Sequence, residues 1–252
     1  MNLFKQLLIS ALVIVACALP TYAAEDNGPS DPFEPLNRVF FNFNEGLDVV
    51  FVEPLAKLYR FVLPDYALDR IHHMLMNIRE PLSTVNYVLQ GDVDNAGESL
   101  LRFLVNSTVG LVGMYDVIGD QSEDNLTGFG DTLGRWGIGP GPYLVLPLIG
   151  PSDLRDAVGL TADYYGDPVR IAMHGGSADI DNPETLYTVL QVEQGFDARS
   201  RLLKQIDDLR KNSLDFYAAA RSIYLQRRAA KIDGGNTDSN SGAAPEIPNY
   251  NH

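Results

Sequence analysis

Leu36, Val39, Phe40, Phe43, Leu47, Val50 and Phe51 recur at three- and four-residue spacing, which predicts an amphipathic helix through DPFEPLNRVFFNFNEGLDVVFVEP. Phe40, Phe41 and Phe43 overfill a single stripe, so this helix is either buried on two sides or has one face on lipid. Pro54 suits the first turn of a second helix, faced by Leu55, Leu58, Tyr59 and Val62 and stopped by Pro64. Ile71, Met74, Leu75 and Ile78 mark a third helix from about Leu68 to Arg79. Pro81 opens a fourth, carrying Leu82, Val85, Asn86 and Leu89 and ending at Gly91. A fifth carries Leu100, Leu101, Leu104 and Val105, with Asp94 or Asn95 as its cap. Further along, Ser152 or Asp153 caps a helix with Leu154, Val158, Leu160 and Ala162, and His174-Gly175-Gly176 reads as a turn. Pro183 begins a helix with Leu186, Val189, Leu190 and Val192. A long helix from about Ala198 to Lys231 follows, its seam formed by Leu202, Ile206, Leu209, Ser213, Phe216, Ala220 and Ile223. The pattern predicts an all-α, single helical domain over residues 31–232, followed by a tail, 233–252, of disordered composition.

Two stretches break the periodicity. From Gly137 to Pro151 every residue is glycine, proline or apolar, and no charge occurs between Arg135 and Asp153. Pro140, Pro142, Pro147 and Pro151 forbid a continuous helix and a central strand. An ordinary loop is polar because it sits in water. This one is either a connector buried in a core or an apolar loop at a membrane surface or lining a lipid passage. Residues 103–115 are also free of charge, with Gly110 and Gly113 as breaks. Between the two lies the polar segment DVIGDQSEDNLTGFGDTLGR, so the region reads as two apolar arms around a polar tip.

A net charge of -14 argues against nucleic acid as a partner. Lys5, the apolar run Leu7 to Leu19 and Thr21-Tyr22-Ala23 form an export signal, residues 1–23. Ile14-Val15-Ala16-Cys17 is also close to a bacterial lipobox, in which removal of residues 1–16 leaves Cys17 as a lipidated N-terminus; both readings stay open. The lone cysteine permits no internal disulfide. His72 and His73 point about 100° apart on a helix and are poorly placed to share a metal. In DVDNAGESLLRF, Phe103 stands where a calcium loop needs glutamate, so no metal or other cofactor is expected. There is no G-x-S-x-G elbow, and Asp153 and Asp156 read as a capped helix start with Arg155 rather than a catalytic pair.

Three segments, DPFEPLNRVFFNFNEGLD, NSTVGLVGMYDV and FGDTLGRWGIGPGPYLVLPLIGPSDLRD, stand in an order that resembles the MlaA (VacJ) family. The resemblance runs from about Asp31 to Pro168. It implies a non-enzymatic outer-membrane lipoprotein, ring-like and helical, embedded in the inner leaflet on the periplasmic side. Such a protein takes misplaced phospholipid from the outer leaflet through an amphipathic channel. Its expected partners are phospholipid, a trimeric porin and a soluble periplasmic phospholipid carrier; a secreted lipid hydrolase and a purely structural porin-associated protein are the alternatives to such a channel. Gly137, Gly139, Gly141 and Tyr143 fall on the loop that the resemblance makes the channel hinge. Phe40, Phe43, Trp136, Leu144 and Leu146 are the expected membrane contacts, with Trp136 and Tyr143 at headgroup level. Arg221, Arg227, Arg228 and Lys231 form the strongest basic cluster of an acidic chain and are expected near a carrier-docking end.

Overall fold

The computed structural model describes residues 31–119, 122–175 and 181–234. The export signal, Cys17, Gly176 and the tail beyond Gly234 lie outside the described residues. Helix α1 (Glu34–Leu47) runs through a π-helical turn (Asp48–Val52) into α2 (Glu53–Val62). Pro54 sits in the first turn of α2, and the chain turns extended at Leu63. Helices α3 (Asp65–Gln90) and α4 (Val93–Thr108) form the most extensively packed pair. After a 3-10 turn (Glu123–Asn125) come α5 (Phe129–Arg135) and a hairpin of β1 (Tyr143–Leu146) and β2 (Gly150–Asp153). Helices α6 (Leu154–Gly166), α7 (Pro168–Gly175), α8 (Pro183–Arg201), α9 (Leu203–Asn212) and α10 (Phe216–Asp233) complete the described chain. The described residues are helical apart from this antiparallel hairpin and the loops.

Several sequence expectations need correction. The two helices expected on either side of Pro81 are one 26-residue helix with Pro81 inside it. Proline removes one intrahelical bond. The carbonyl left without its helical donor is that of Asn77, four residues back, while the Glu80 carbonyl beside the proline accepts from the Thr84 hydroxyl at 2.9 Å. The cap of α4 is Asp92, accepting from Asn95 N at 3.2 Å, rather than Asp94 or Asn95. Gly91 before it is left-handed, φ 76°, and closes α3. His174 lies in the last turn of α7, not in a loop. The long C-terminal helix is three helices. Leu202 leaves helical geometry, Ser213 is extended, and Asp215 caps α10 by accepting from Ala218 N at 3.1 Å. The break lets Phe216 and Tyr217 turn onto Phe41, with ring centroids 5.1 and 5.4 Å away.

The polar tip is also corrected. Residues 126–132 turn inward: Leu126, Thr127, Asp131 and Thr132 are all buried. Gly130 on α5 and Gly159 on α6 allow a close crossing, since a Cβ on Gly159 would lie 2.6 Å from the Gly130 Cα. Asp163 on α6 accepts from Phe129 N with both oxygens at 3.0 Å and so closes the N-terminus of α5.

The π-helical turn has a packing consequence. Asp48 and Glu53 are five residues apart, one turn of a π-helix, and both face the C-terminal helices. Arg199 grips Asp48 through two bonds of 2.7 Å, and Arg210 reaches Glu45 (2.6 Å), Asp48 (3.1 Å) and Glu53 (2.9 Å). These ion pairs fasten α8 and α9 to the first two helices.

Candidate functional site: polar interior, apolar exterior

The α3–α4 pair reverses the usual arrangement of a helical hairpin in water. Asn77, Glu80, Ser83 and Asn86 on α3 and Ser99, Arg102 and Asn106 on α4 are buried, alongside Leu75, Met76 and Tyr87, while Val85, Val88, Leu89, Leu100, Leu101 and Leu104 are exposed. The enclosed groups are bonded to one another. Ser99 donates to Glu80 Oε2 (2.6 Å), Asn77 to Ser107 Oγ (2.8 Å), Asn106 to Asp116 (3.1 Å), and Thr132 to Asn86 Oδ1 (2.9 Å). Burial pushes the Glu80 carboxyl above its ordinary value, against the opposing pull of Ser99 and Arg102.

The network continues across α5, α6 and α10. Arg228 donates to Asp131 and to Asp156, each at 2.5 Å, and Lys231 stands 3.4 Å from Asp131. Burial alone raises the Asp131 pKa, but Lys231 and Arg228 outweigh it and hold the carboxyl below its ordinary value. Tyr224 donates to Asp156 at 2.6 Å, and burial beside that carboxylate drives the phenol pKa up. The expected basic cluster is thus largely spent inside the fold. Arg228 and Lys231 bind α5 and α6, Arg221 lies 3.7 Å from Asp31, and Arg227 is exposed.

The exterior carries the apolar side chains. Leu36, Val39 and Phe43 on α1, Val49, Val50 and Phe51 on the π turn, and Leu55, Leu58 and Phe61 on α2 are all exposed, Phe61 by 86%. Val109, Leu111, Val112 and Met114 after α4 are exposed too. Leu111 (φ 53°) and Val112 (φ 62°) take left-handed backbone, a strained choice for a β-branched valine. Monomeric water-soluble proteins seldom expose so many consecutive large aliphatic groups. None of the described helices is long and apolar enough to cross a membrane.

The glycine-proline stretch divides in two. Its second half is the hairpin, held against α1 by two asparagines. Asn37 donates to the Tyr143 carbonyl (3.0 Å) and accepts from Val145 N (2.9 Å); Asn44 donates to the Leu146 carbonyl (2.9 Å) and accepts from Leu148 N (2.8 Å). Residues seven apart share a helix face, so α1 offers β1 the donors and acceptors that a third strand would. Sequence reasoning missed this pair; the only signal was two asparagines at that spacing. Tyr143 is fully buried, with Tyr217 and Tyr224 at 6.1 and 5.8 Å. This corrects its placement at headgroup level: the strand pleat turns its ring inward with Val145. Leu144 and Leu146 lie on the other side of the strand, half-buried, and Phe40 packs half-buried against the Tyr143 cluster. Trp136 and Phe43 are about half exposed, at 53% and 51%.

The first half is the glycine loop. Gly137 (φ 85°) and Gly141 (φ 70°) take left-handed backbone, and an added Cβ at Gly137 or Gly139 would meet nothing within 4 Å. Its flanks are tied: Trp136 Nε1 donates to the Leu89 carbonyl (3.1 Å), and Arg155 reaches the carbonyls of Ile138 (3.2 Å, through Nη1) and Pro140 (3.1 Å, through its backbone N). Asp153 caps α6 by accepting from Asp156 N at 2.7 Å, with Arg155 3.6 Å from both carboxylates, as a capped helix start requires. His72 Nδ1 lies 2.6 Å from Asp197, while burial lowers the pKa of His73.

Hydrogen-bonded polar groups inside and bare aliphatic groups outside define a class, a helical protein with a lipid-compatible exterior. The MlaA lipoprotein family model matches residues 29–231. The chain belongs to that family. It is 33% identical over 238 residues to a Shigella flexneri protein named intermembrane phospholipid transport system lipoprotein MlaA, covering 91% of this chain and 88% of that one. An uncharacterized Rickettsia bellii protein is 40% identical over 205 residues, 80% of this chain and 76% of its own. A solved structure from work on the structural basis for maintenance of bacterial outer membrane lipid asymmetry aligns with a TM-score of 0.67 and 33% identity. It covers 81% of this chain and 99% of that one.

Proposed function

We propose that this chain carries phospholipid out of the outer leaflet of the bacterial outer membrane and so maintains lipid asymmetry. The observation that carries the reading is the reversed polarity of the helices. A phospholipid has a charged head and apolar tails, so its path needs polar groups enclosed by a body that tolerates lipid outside. Backbone polar groups in hydrocarbon must be paired internally, which helices achieve and which irregular glycine-proline backbone achieves where it lines a cavity. The exposed faces of α1, the π turn and α2, with Phe43, Trp136, Leu144 and Leu146, sit in the periplasmic leaflet in this reading. Export is directed by residues 1–23, or by residues 1–16 with Cys17 as a lipid anchor. The chain hands its lipid to a soluble periplasmic carrier and stands beside a trimeric porin. Loop 137–141 gates the passage, with Gly137, Gly139 and Gly141 as the hinge and the asparagine-clamped hairpin as its fixed end.

The test is deletion of the gene with measurement of outer-leaflet phospholipid. Accumulation there, reversed by the wild-type chain, supports transport. Unchanged asymmetry overturns it, and phospholipid hydrolysis by the purified chain would move it to the lipases.

A further inference from the structure

Arg70 on α3 is held by aromatic rings rather than by a carboxylate. Its guanidinium lies over the rings of Tyr66 (5.0 Å) and Tyr115 (4.7 Å), whose hydroxyls bond each other at 2.7 Å. Among the described residues it donates to no acceptor and pairs with no carboxylate, and its Nε is buried without a partner. The nearby acids are engaged elsewhere. Asp69 pairs with Arg201 (3.3 Å), and Asp116 accepts from Asn106 (3.1 Å) and from Gly119 N (3.0 Å). By contrast Arg38, Arg135, Arg199, Arg210 and Arg228 each meet a carboxylate within 3.2 Å. A guanidinium presents five donors in a planar fork suited to phosphate. Its position over two rings holds the group in place while its terminal Nη atoms remain without an acceptor among the described residues.

The surroundings specify the rest of the ligand. Tyr115 ends the exposed loop of Val109, Leu111, Val112 and Met114. A cation fixed between phenols beside bare aliphatic side chains matches a molecule with an anionic head and apolar tails. We propose that Arg70, with Tyr66 and Tyr115, is a binding site for the phosphate of a glycerophospholipid whose acyl chains lie along residues 109–114. The site rests on the transport reading only in that its phosphate belongs to a lipid. The bland alternative is that the Arg70–tyrosine stack merely braces α3 against the loop.

The full chain, purified in detergent, is titrated by NMR with three probes: dihexanoyl phosphatidylglycerol below its micelle concentration, dihexanoylglycerol and inorganic phosphate. The site predicts that Arg70→Gln weakens phosphatidylglycerol binding at least tenfold, Arg70→Lys less, and dihexanoylglycerol binding not at all. Unchanged phosphatidylglycerol affinity in Arg70→Gln overturns it. Arg70-dependent binding of inorganic phosphate as tight as that of the lipid overturns the lipid assignment in favour of a free anion. Should Arg70→Gln not fold, benzoylphenylalanine in place of Tyr66 must crosslink radiolabelled phospholipid more than the same group in place of Tyr165; equal or no crosslinking sinks the site. The two readings separate cleanly. Deletion that perturbs asymmetry, with no Arg70-dependent binding, removes this site alone. Arg70-dependent binding without an asymmetry defect removes transport alone.

Discussion

At the scale of single residues, buried polar side chains share the interior with the apolar cluster around Phe41 and Tyr143. Asn37 is 2% exposed and satisfies the backbone of Tyr143 and Val145 together. Asn37→Leu keeps the volume but strands a buried N–H and a buried carbonyl, each costing about 1–3 kcal/mol. The expected loss is about 2–4 kcal/mol, read as a lowered denaturation midpoint, and a loss below that range would mean the hairpin finds other partners. Asp163 gives a pH signature. Burial, with Asp131 and Asp167 nearby, raises its pKa from 3.8 to about 6, despite the opposing bonds from Phe129 N and Asn86. A carboxyl with a raised folded pKa favours the fold fully below its ordinary value and loses that contribution as pH rises through 6. Asp163→Asn is therefore expected to remove a component of stability that falls between pH 4 and pH 6. Parallel thermal melts of both proteins across that range measure the difference; superimposable pH dependence would contradict it.

At the scale of elements, clamps and glycines divide rigid from free backbone. The hairpin is fixed by α1, and the close crossing of α5 and α6 is fixed by the absence of side chains at Gly130 and Gly159. The glycine loop differs at each position. Gly137 has φ 85°, so Gly137→Ala is strained and costs about 1 kcal/mol. Gly139 lies outside that left-handed range and faces open space. Gly139→Ala is then expected to fold at least as stably, by roughly 0.4–1 kcal/mol, through restriction of the unfolded chain. If the loop is a hinge, this stable variant still fails to keep phospholipid out of the outer leaflet. Normal asymmetry at a normal protein level would show that Gly139 serves a turn and not a gate.

At the scale of the whole molecule, the exposed apolar faces ask for a surrounding other than water. Phe51, Leu55 and Leu58 recur at spacings of four and three and are 58%, 56% and 56% exposed. Since they are exposed, replacing all three with Asp removes no core packing, and each surface change stays within about 0.5 kcal/mol. The helical spectrum and melting temperature should hold while sedimentation with lipid vesicles is lost. Retained vesicle binding would place the membrane contact elsewhere on the molecule.

Much of this was legible before any coordinates. Helical periodicity in residues 36–51 and 100–105, Pro54 as a helix start, Gly91 as a left-handed stop and Asp153 as a cap are local effects of backbone and side-chain chemistry, and local chemistry is written in the sequence. So was the family resemblance, carried by ordered glycine-proline motifs. What periodicity could not supply was the direction each face turns. An apolar stripe looks the same whether it meets a core or a lipid, so the outward aliphatic groups of α1 to α4 and the inward Asn, Ser and Glu appear only when the helices are packed. The same limit hid the inward turn of residues 126–132, the burial of Tyr143, and the use of Arg228 within the fold. Pro81 was misread as a helix start because the local pattern is the same for a first-turn proline and for one inside a longer helix, and the π turn at Asp48–Val52 was missed because the arginines that its acids meet lie on later helices. Long-range partners decide which polar group is satisfied and where, and only tertiary structure brings those partners together.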